Sequence, residues 1–107
     1  MLKIGFGPQG AVAIEGRLDA AQAAVAQAFL DGVSGNVVLD CSALEYLSSA
    51  GLGVLLKTQK RLRAAAGQLR LTGVSRHVHD IFRYAGFDQI FDIAADVVHM
   101  AADARQA

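Results

Sequence analysis

Two adjacent hydroxyls, Ser48 and Ser49, stand at the point in the chain where chemistry is most readily placed. An apolar run, Val37-Val38-Leu39, ends in Asp40 and reads as a buried strand leaving the core. A short polar connection carries the two serines, and Ala50-Gly51-Leu52-Gly53 leads into a strongly helical segment. Strand, serine-bearing turn and helix start together set hydroxyls beside unpaired backbone N–H groups and the positive end of a helix dipole. A phosphate is stabilised at such a place, so the turn can accept negative charge or be switched by it. Serine is also a favoured N-cap residue. Capping and modification are compatible, and the residues alone leave both open.

Other chemistry-bearing patterns are weaker. Ser49-Ala50-Gly51 supplies half of a hydrolase nucleophile elbow, but Leu47 stands where that elbow requires glycine. Asp80 or Asp88 with His99 would complete a triad only by force, and 107 residues leave little material for an oxyanion hole and a substrate pocket. The chain therefore reads as non-enzymatic. His77, His79 and Asp80 hint at a metal, yet residues two apart on a helix point in nearly opposite directions. No metal site is expected. Gly5, Gly7 and Gly10 fit G-x-G-x-x-G, but Pro8 sits inside and a strand follows where a helix is needed. No cofactor is expected either.

Composition narrows the partners. The formal net charge is zero, with 10 basic and 10 acidic residues. The basic run Lys57 to Arg63 thus lacks a supporting excess, and no aromatic platform flanks it, so it reads as a solvated helix face rather than a nucleic-acid site. Hydrophobic content of 53% with 19% charged residues fits one globular domain over residues 1–107. Cys41 is alone, which excludes an intramolecular disulfide and suits a reducing compartment. No stretch approaches the roughly 20 apolar residues of a membrane helix. A cytoplasmic protein without direct membrane insertion is the expectation.

The elements that must position the serines follow from periodicity. Residues 2–7 and 11–15 read as a hairpin closed by Pro8-Gln9-Gly10, with the first strand at an edge. Asp19 is placed to cap a helix from Ala20 to about Asp31, with Ala21, Val25, Ala28 and Phe29 on a common face. Val37–Asp40 is the central strand. The helix after Gly51 carries Leu52, Leu55, Leu56, Leu62 and Ala66 in one stripe, with Lys57, Lys60 and Arg61 opposite, and stops at Gly67. Gln68–Thr72 is a strand. Ser75 caps a helix with Val78, Ile81, Phe82 and Ala85 inward, ended by Gly86. A last strand over 89–93 and a terminal helix through Ala94, Val97, Val98 and Ala101 complete the alternation. The class is α/β, a mixed and mostly parallel sheet with about four α-helices packed against it.

Three motifs carry a resemblance that covers nearly the whole chain. Ser48-Ser49-Ala50-Gly51-Leu52-Gly53 resembles the Asp-Ser-Ser-Gly-Leu-Gly of STAS domains in anti-sigma factor antagonists. Gly16-Arg17-Leu18-Asp19 is similar to that family's Gly-Glu-Leu-Asp, and Ala85-Gly86-Phe87 with Ile90-Phe91 matches near the end. The resemblance implies a single bacterial STAS domain that acts by partner switching in transcription regulation. It would bind an anti-sigma factor serine kinase when unphosphorylated and release it when phosphorylated, with a phosphatase as a further partner. The family serine directly before the glycine has become Ala50. That leaves Ser49 as the favoured phosphoacceptor, with Ser48 as the alternative. The implied partner surface comprises Asp19, Ser48, Ser49, Ala50, Gly51, Leu52 and Gly53, in a monomer or weak dimer. The other role open to the family is that of an unphosphorylated structural subunit, in a lipid-transport ABC complex or a signalling scaffold.

Overall fold

The structure, a computed structural model, describes residues 1–94 of the chain. Its frame is a five-stranded sheet in the order β1-β2-β3-β4-β5. β1 (Leu2–Phe6) and β2 (Val12–Leu18) form the antiparallel hairpin, turned by Pro8–Gly10. β3 (Asn36–Leu47), β4 (Gln68–Thr72) and β5 (Asp92–Ile93) add in parallel, through α1 (Ala23–Leu30), α2 (Ser49–Ala64) and α3 (Arg76–Tyr84). Right-handed crossovers between neighbouring parallel strands carry successive helices to one face of the sheet. Burial agrees with that. Val12, Ile14, Val37, Leu39, Leu69 and Leu71 are buried, whereas Val38, Gln68 and Arg70 on the other face are exposed.

The mixed sheet and the helix-over-sheet layering are as the sequence predicts. Three α-helices are described. The expected terminal helix, with Val97, Val98 and Ala101, lies outside the described residues, as does His99. β5 is two residues long rather than the span 89–93, because Phe87 to Phe91 close turns onto one another instead of extending.

The largest departure is β3. Asp40 does not end it; the strand continues to Leu47. Pairing with β2 slips twice, between Ala13 and Glu15 and again between Gly16 and Arg17, so β3 contributes one extra residue at each slip. Such bulges bend a strand and re-aim its side chains. Here they rotate the alternation from Val37, Leu39 and Cys41 to Leu44 and Leu47, all of them buried. The Cys41 thiol is pushed up to about 12, first by desolvation and second by the Asp40 carboxylate, so it stays protonated and inert.

α1 starts later than expected, at Ala23, and its buried residues are Ala26 and Leu30. Ala21, Val25 and Ala28 are exposed, so the inward face is rotated from the one the alanine spacing suggests. With no charged residue and Gln27 as its one polar side chain, this helix gives periodicity little to be read against. In α2, Leu52, Leu55 and Leu62 are buried as predicted, joined by Val54 and by two polar residues, Thr58 and Gln59. Thr58 Oγ1 donates to the Val54 carbonyl, and Gln59 Nε2 donates to the Ile90 carbonyl at 2.7 Å. Arg61 is not idle on the solvent side. Its guanidinium donates to the Leu30 and Val33 carbonyls and ties α2 to the end of α1.

α2 closes one residue before its glycine. Gly67 N–H donates to Leu62 O and Ala66 N–H to Arg63 O, a Schellman arrangement that puts Ala66, not Gly67, in the left-handed region at φ 65°. Gly67 is needed for another reason: a side chain there would overlap the Gly35 carbonyl. An alanine at positive φ costs about 1 kcal/mol. Ala66→Gly should therefore raise the stability by about that amount and the melting temperature by a few degrees, whereas Gly67→Ala should lower both. Thermal unfolding followed by circular dichroism reads the two signs directly.

Candidate functional site

The two bulges determine where β3 delivers its end. They bring Leu47 inward beside Leu18 and place Ser48 over the end of β2, where Ser48 N–H donates to the Leu18 carbonyl at 3.0 Å. Ser48 has extended backbone, φ −88° and ψ 173°, and its Oγ accepts from the Gly51 N–H at 3.2 Å. It is the N-cap of α2, worth about 1 kcal/mol. The helix therefore begins at Ser49, earlier than the Gly51 start expected from sequence. Ser75 plays the same part for α3, accepting from Val78 N–H.

Ser49 is the first residue of α2, and it is exposed. Its hydroxyl makes no hydrogen bond with any described residue. The neighbouring serines are thus divided: the hydroxyl of Ser48 is engaged by the helix, and that of Ser49 faces solvent at the positive end of the same helix.

Gly51 and Leu52 do not belong to an exposed surface. Gly51 is buried, and a Cβ there would lie 2.6 Å from the Leu18 carbonyl oxygen, 2.8 Å from Leu18 Cγ and 2.9 Å from Leu47 Cδ1. Leu52 is 4% exposed and part of the core. The glycine serves the close approach of α2 to the strand ends, not the approach of a second protein. Gly53 is different. It is half-buried, with open space where a Cβ would stand.

The surface that remains is a shallow groove of about 300 Å³ between α1 and α2, lined by Ala23, Ala24, Gln27, Ala50, Gly53, Val54 and Lys57. Ala50, Gly53, Val54 and Lys57 share one side of α2 at i, i+3, i+4 and i+7. The walls are small and apolar, with one cation at the end. The α1 side of the groove could not be read from the sequence, because only the packing shows which alanines face α2. Asp19 does not line the groove. Its Oδ1 accepts from the Gln22 N–H at 3.2 Å and fixes the turn before α1, so it caps that turn rather than a helix starting at Ala20.

The remaining candidates lie elsewhere. His77, exposed, and His79, half-buried, are on α3, where Asp80 pairs with Arg83 at 3.7 Å. Among the described residues no three His, Cys, Asp or Glu side chains come together. No described helix is long and apolar enough to cross a membrane.

The close packing at Gly51 and the open space at Gly53 predict opposite signs. Gly51→Ala should destabilise by about 1–3 kcal/mol, from overpacking against backbone. Gly53→Ala should be neutral or stabilising by up to about 1 kcal/mol, from helix propensity. Ser48→Ala should cost about 1 kcal/mol and Ser49→Ala less than about 0.5 kcal/mol. Urea unfolding of the four variants checks all of these at once.

Comparison with known proteins agrees with the fold. The chain is 47% identical over 58 residues to BtrV of Bordetella bronchiseptica, named as a candidate anti-sigma factor antagonist; the match spans 54% of this chain and about half, 50%, of that relative. An anti-sigma factor antagonist from Mycobacterium paratuberculosis superimposes with a TM-score of 0.71 at 20% identity, over 100% of this chain and 94% of that one. The Bacillus cell-fate determinant SpoIIAA in its phosphorylated form gives 0.62 at 21% identity, over 96% and 97%. At such identities these structures establish a shared fold. The family model described as "Mlab, STAS domain" matches residues 6–104, almost the whole chain, and on that match the chain belongs to the STAS-domain family.

Proposed function

We propose that this chain is an anti-sigma factor antagonist that works by partner switching, with Ser49 as the phosphoacceptor. The observation that carries the reading is the division between the two serines: Ser48 is committed to capping α2, and Ser49 offers an unengaged hydroxyl at the helix start. BtrV, whose name points to the same role, supports it over half the chain.

In this reading the kinase is the anti-sigma factor itself. Its ATP γ-phosphoryl group passes to Ser49 Oγ, the bond to ADP breaks, and a base on the kinase takes the hydroxyl proton. The partner docks on the α1–α2 groove that begins at Ala50, the residue after Ser49. Small walls allow a close approach there, and Ala23, Ala24 and Ala50 supply apolar area. Phosphorylation adds about −1.5 to −2 charges. The helix dipole tolerates that charge in water, but an apolar interface would have to strip its hydration, and the complex would separate.

Ala50 favours a second reading. With alanine at the position where the family usually carries its serine, the domain would serve as an unphosphorylated subunit of a lipid-transport ABC complex or a signalling scaffold.

The deciding experiment recovers the tagged protein from its own host and records its intact mass. Co-recovery of a serine kinase, with a bait fraction one phosphate heavier and the phosphate mapped to Ser49, is the expected result. Transporter subunits with bait at unmodified mass would establish the second reading. With the kinase in hand, Ser49→Asp should weaken binding at least about tenfold, or about 1.4 kcal/mol, and Ser49→Ala should retain it. Equal affinity of both variants would overturn the switch.

A further inference from the structure

β1 is an edge strand, and its unpaired groups follow from the hairpin ladder. Arg17 N–H donates to Met1 O, and Gly7 N–H donates to Ala11 O, so the odd-numbered residues of this strand face β2. In an antiparallel pair the intervening residues then point their N–H and C=O groups the other way. Leu2, Ile4 and Phe6 thus present a row of donors and acceptors at the sheet edge that no described residue pairs.

A second observation adds to this edge. Phe6 is 69% exposed and contacts Phe29 of α1 at a ring-centroid distance of 5.3 Å, while Val25, also on α1, is 53% exposed. α1 carries no charged residue along its length. Its outer surface is divided: Ala23, Ala24 and Gln27 face the α2 groove, and Phe29 reaches β1. An open backbone edge therefore runs beside an exposed apolar strip on the helix-covered side of the sheet.

We infer that this edge is a self-association surface, which takes a second copy of the same chain by antiparallel β1–β1 pairing centred on Ile4. The strand is complementary to itself in that register. On the helix-covered face Leu2 falls opposite Phe6 and Ile4 opposite Ile4, apolar against apolar. On the other face Met1 falls opposite Gly7 and Lys3 opposite Gly5, so each long side chain lies across from a glycine. The two Lys3 ammonium groups are diagonal rather than opposed, with strand positions about 7–8 Å apart, and each Lys3 is paired in register with its own Glu15. The two sheets would join into one of ten strands, with both α1 helices on the same side. Met1, Phe6 and Val25 are 91%, 69% and 53% exposed, and covering them together with the paired strands makes a small interface, in the weak and transient class below about 1,200 Å². A concentration-dependent dimer is what such an area supports. The inference does not rest on the phosphorylation reading, and it holds or fails whichever serine is modified.

Sedimentation velocity on the purified chain, from about 10 μM to about 1 mM, tests this together with three variants. The wild type should shift from monomer toward dimer across the range. Phe6→Glu and Val25→Glu should each move the midpoint at least about tenfold higher; Val25→Glu leaves the β1 contact with Phe29 in place, should Phe6→Glu disturb folding. Lys3→Cys should cross-link to itself with a short bis-maleimide, since Cys41 is buried and does not compete. A wild type that stays monomeric to the highest concentration overturns the inference. So does a dimer that survives both glutamate variants, or one in which Lys3→Cys fails to cross-link.

Discussion

The contact on which most of the arrangement depends is the approach of α2 to the ends of β2 and β3 at Gly51. A helix start normally stands off a sheet by the thickness of its side chains. Here the Leu18 carbonyl and the Leu18 and Leu47 side chains occupy the space a Cβ would need. The same few residues are joined by the Ser48 N–H bond to Leu18 O and by the Ser48 cap on Gly51 N–H. Strand end, cap and helix start are thereby locked as one unit. Ser49, the next residue, is held at a fixed place in solvent without being part of the lock.

That unit changes the meaning of the Gly-Leu-Gly motif. Its first glycine and its leucine are buried and serve packing, and only the second glycine opens onto a surface. A partner that reads this region would meet Ala50, Gly53 and the near side of α1. Charge placed on Ser49 would act at the rim of that surface, where it can block docking without disturbing the core. On the proposed reading, a local chemical change would control association while the fold is kept, because buried and exposed residues alternate along one turn of helix.

α1 connects the two surfaces described above. It has no charged side chain, and its exposed flanks look in two directions, one toward the α2 groove and one toward the β1 edge. Arg61 holds its C-terminal end by donating to Leu30 and Val33 carbonyls, and Asp19 fixes the turn that precedes it. A helix of alanines with little side-chain bulk needs such polar ties at both ends, since burial of Ala26 and Leu30 alone gives it modest hold.

Much of this could be read from residues in order. The hairpin, the Ser75 cap, the Leu52-Leu55-Leu62 stripe and the alternation of strand and helix are local patterns, in which neighbours along the chain carry the information. The serine-bearing helix start belongs with them. What the chain order could not supply was any feature that depends on a distant partner. β3 continues past Asp40 because β2 offers a ladder through two bulges, and those bulges break the alternation by which a strand is recognised. α1 turns a different face inward because, with no charged residue and one glutamine, its faces differ little, and only the sheet beneath it selects one. Gly51 is required by Leu18, 33 positions away, and Gly67 by Gly35. Local patterns along the chain were enough for the hairpin, the three described helices and the junction of strand and helix that carries the two hydroxyls. Tertiary packing decided which faces are buried, because steric exclusion acts between segments that meet only in the folded chain.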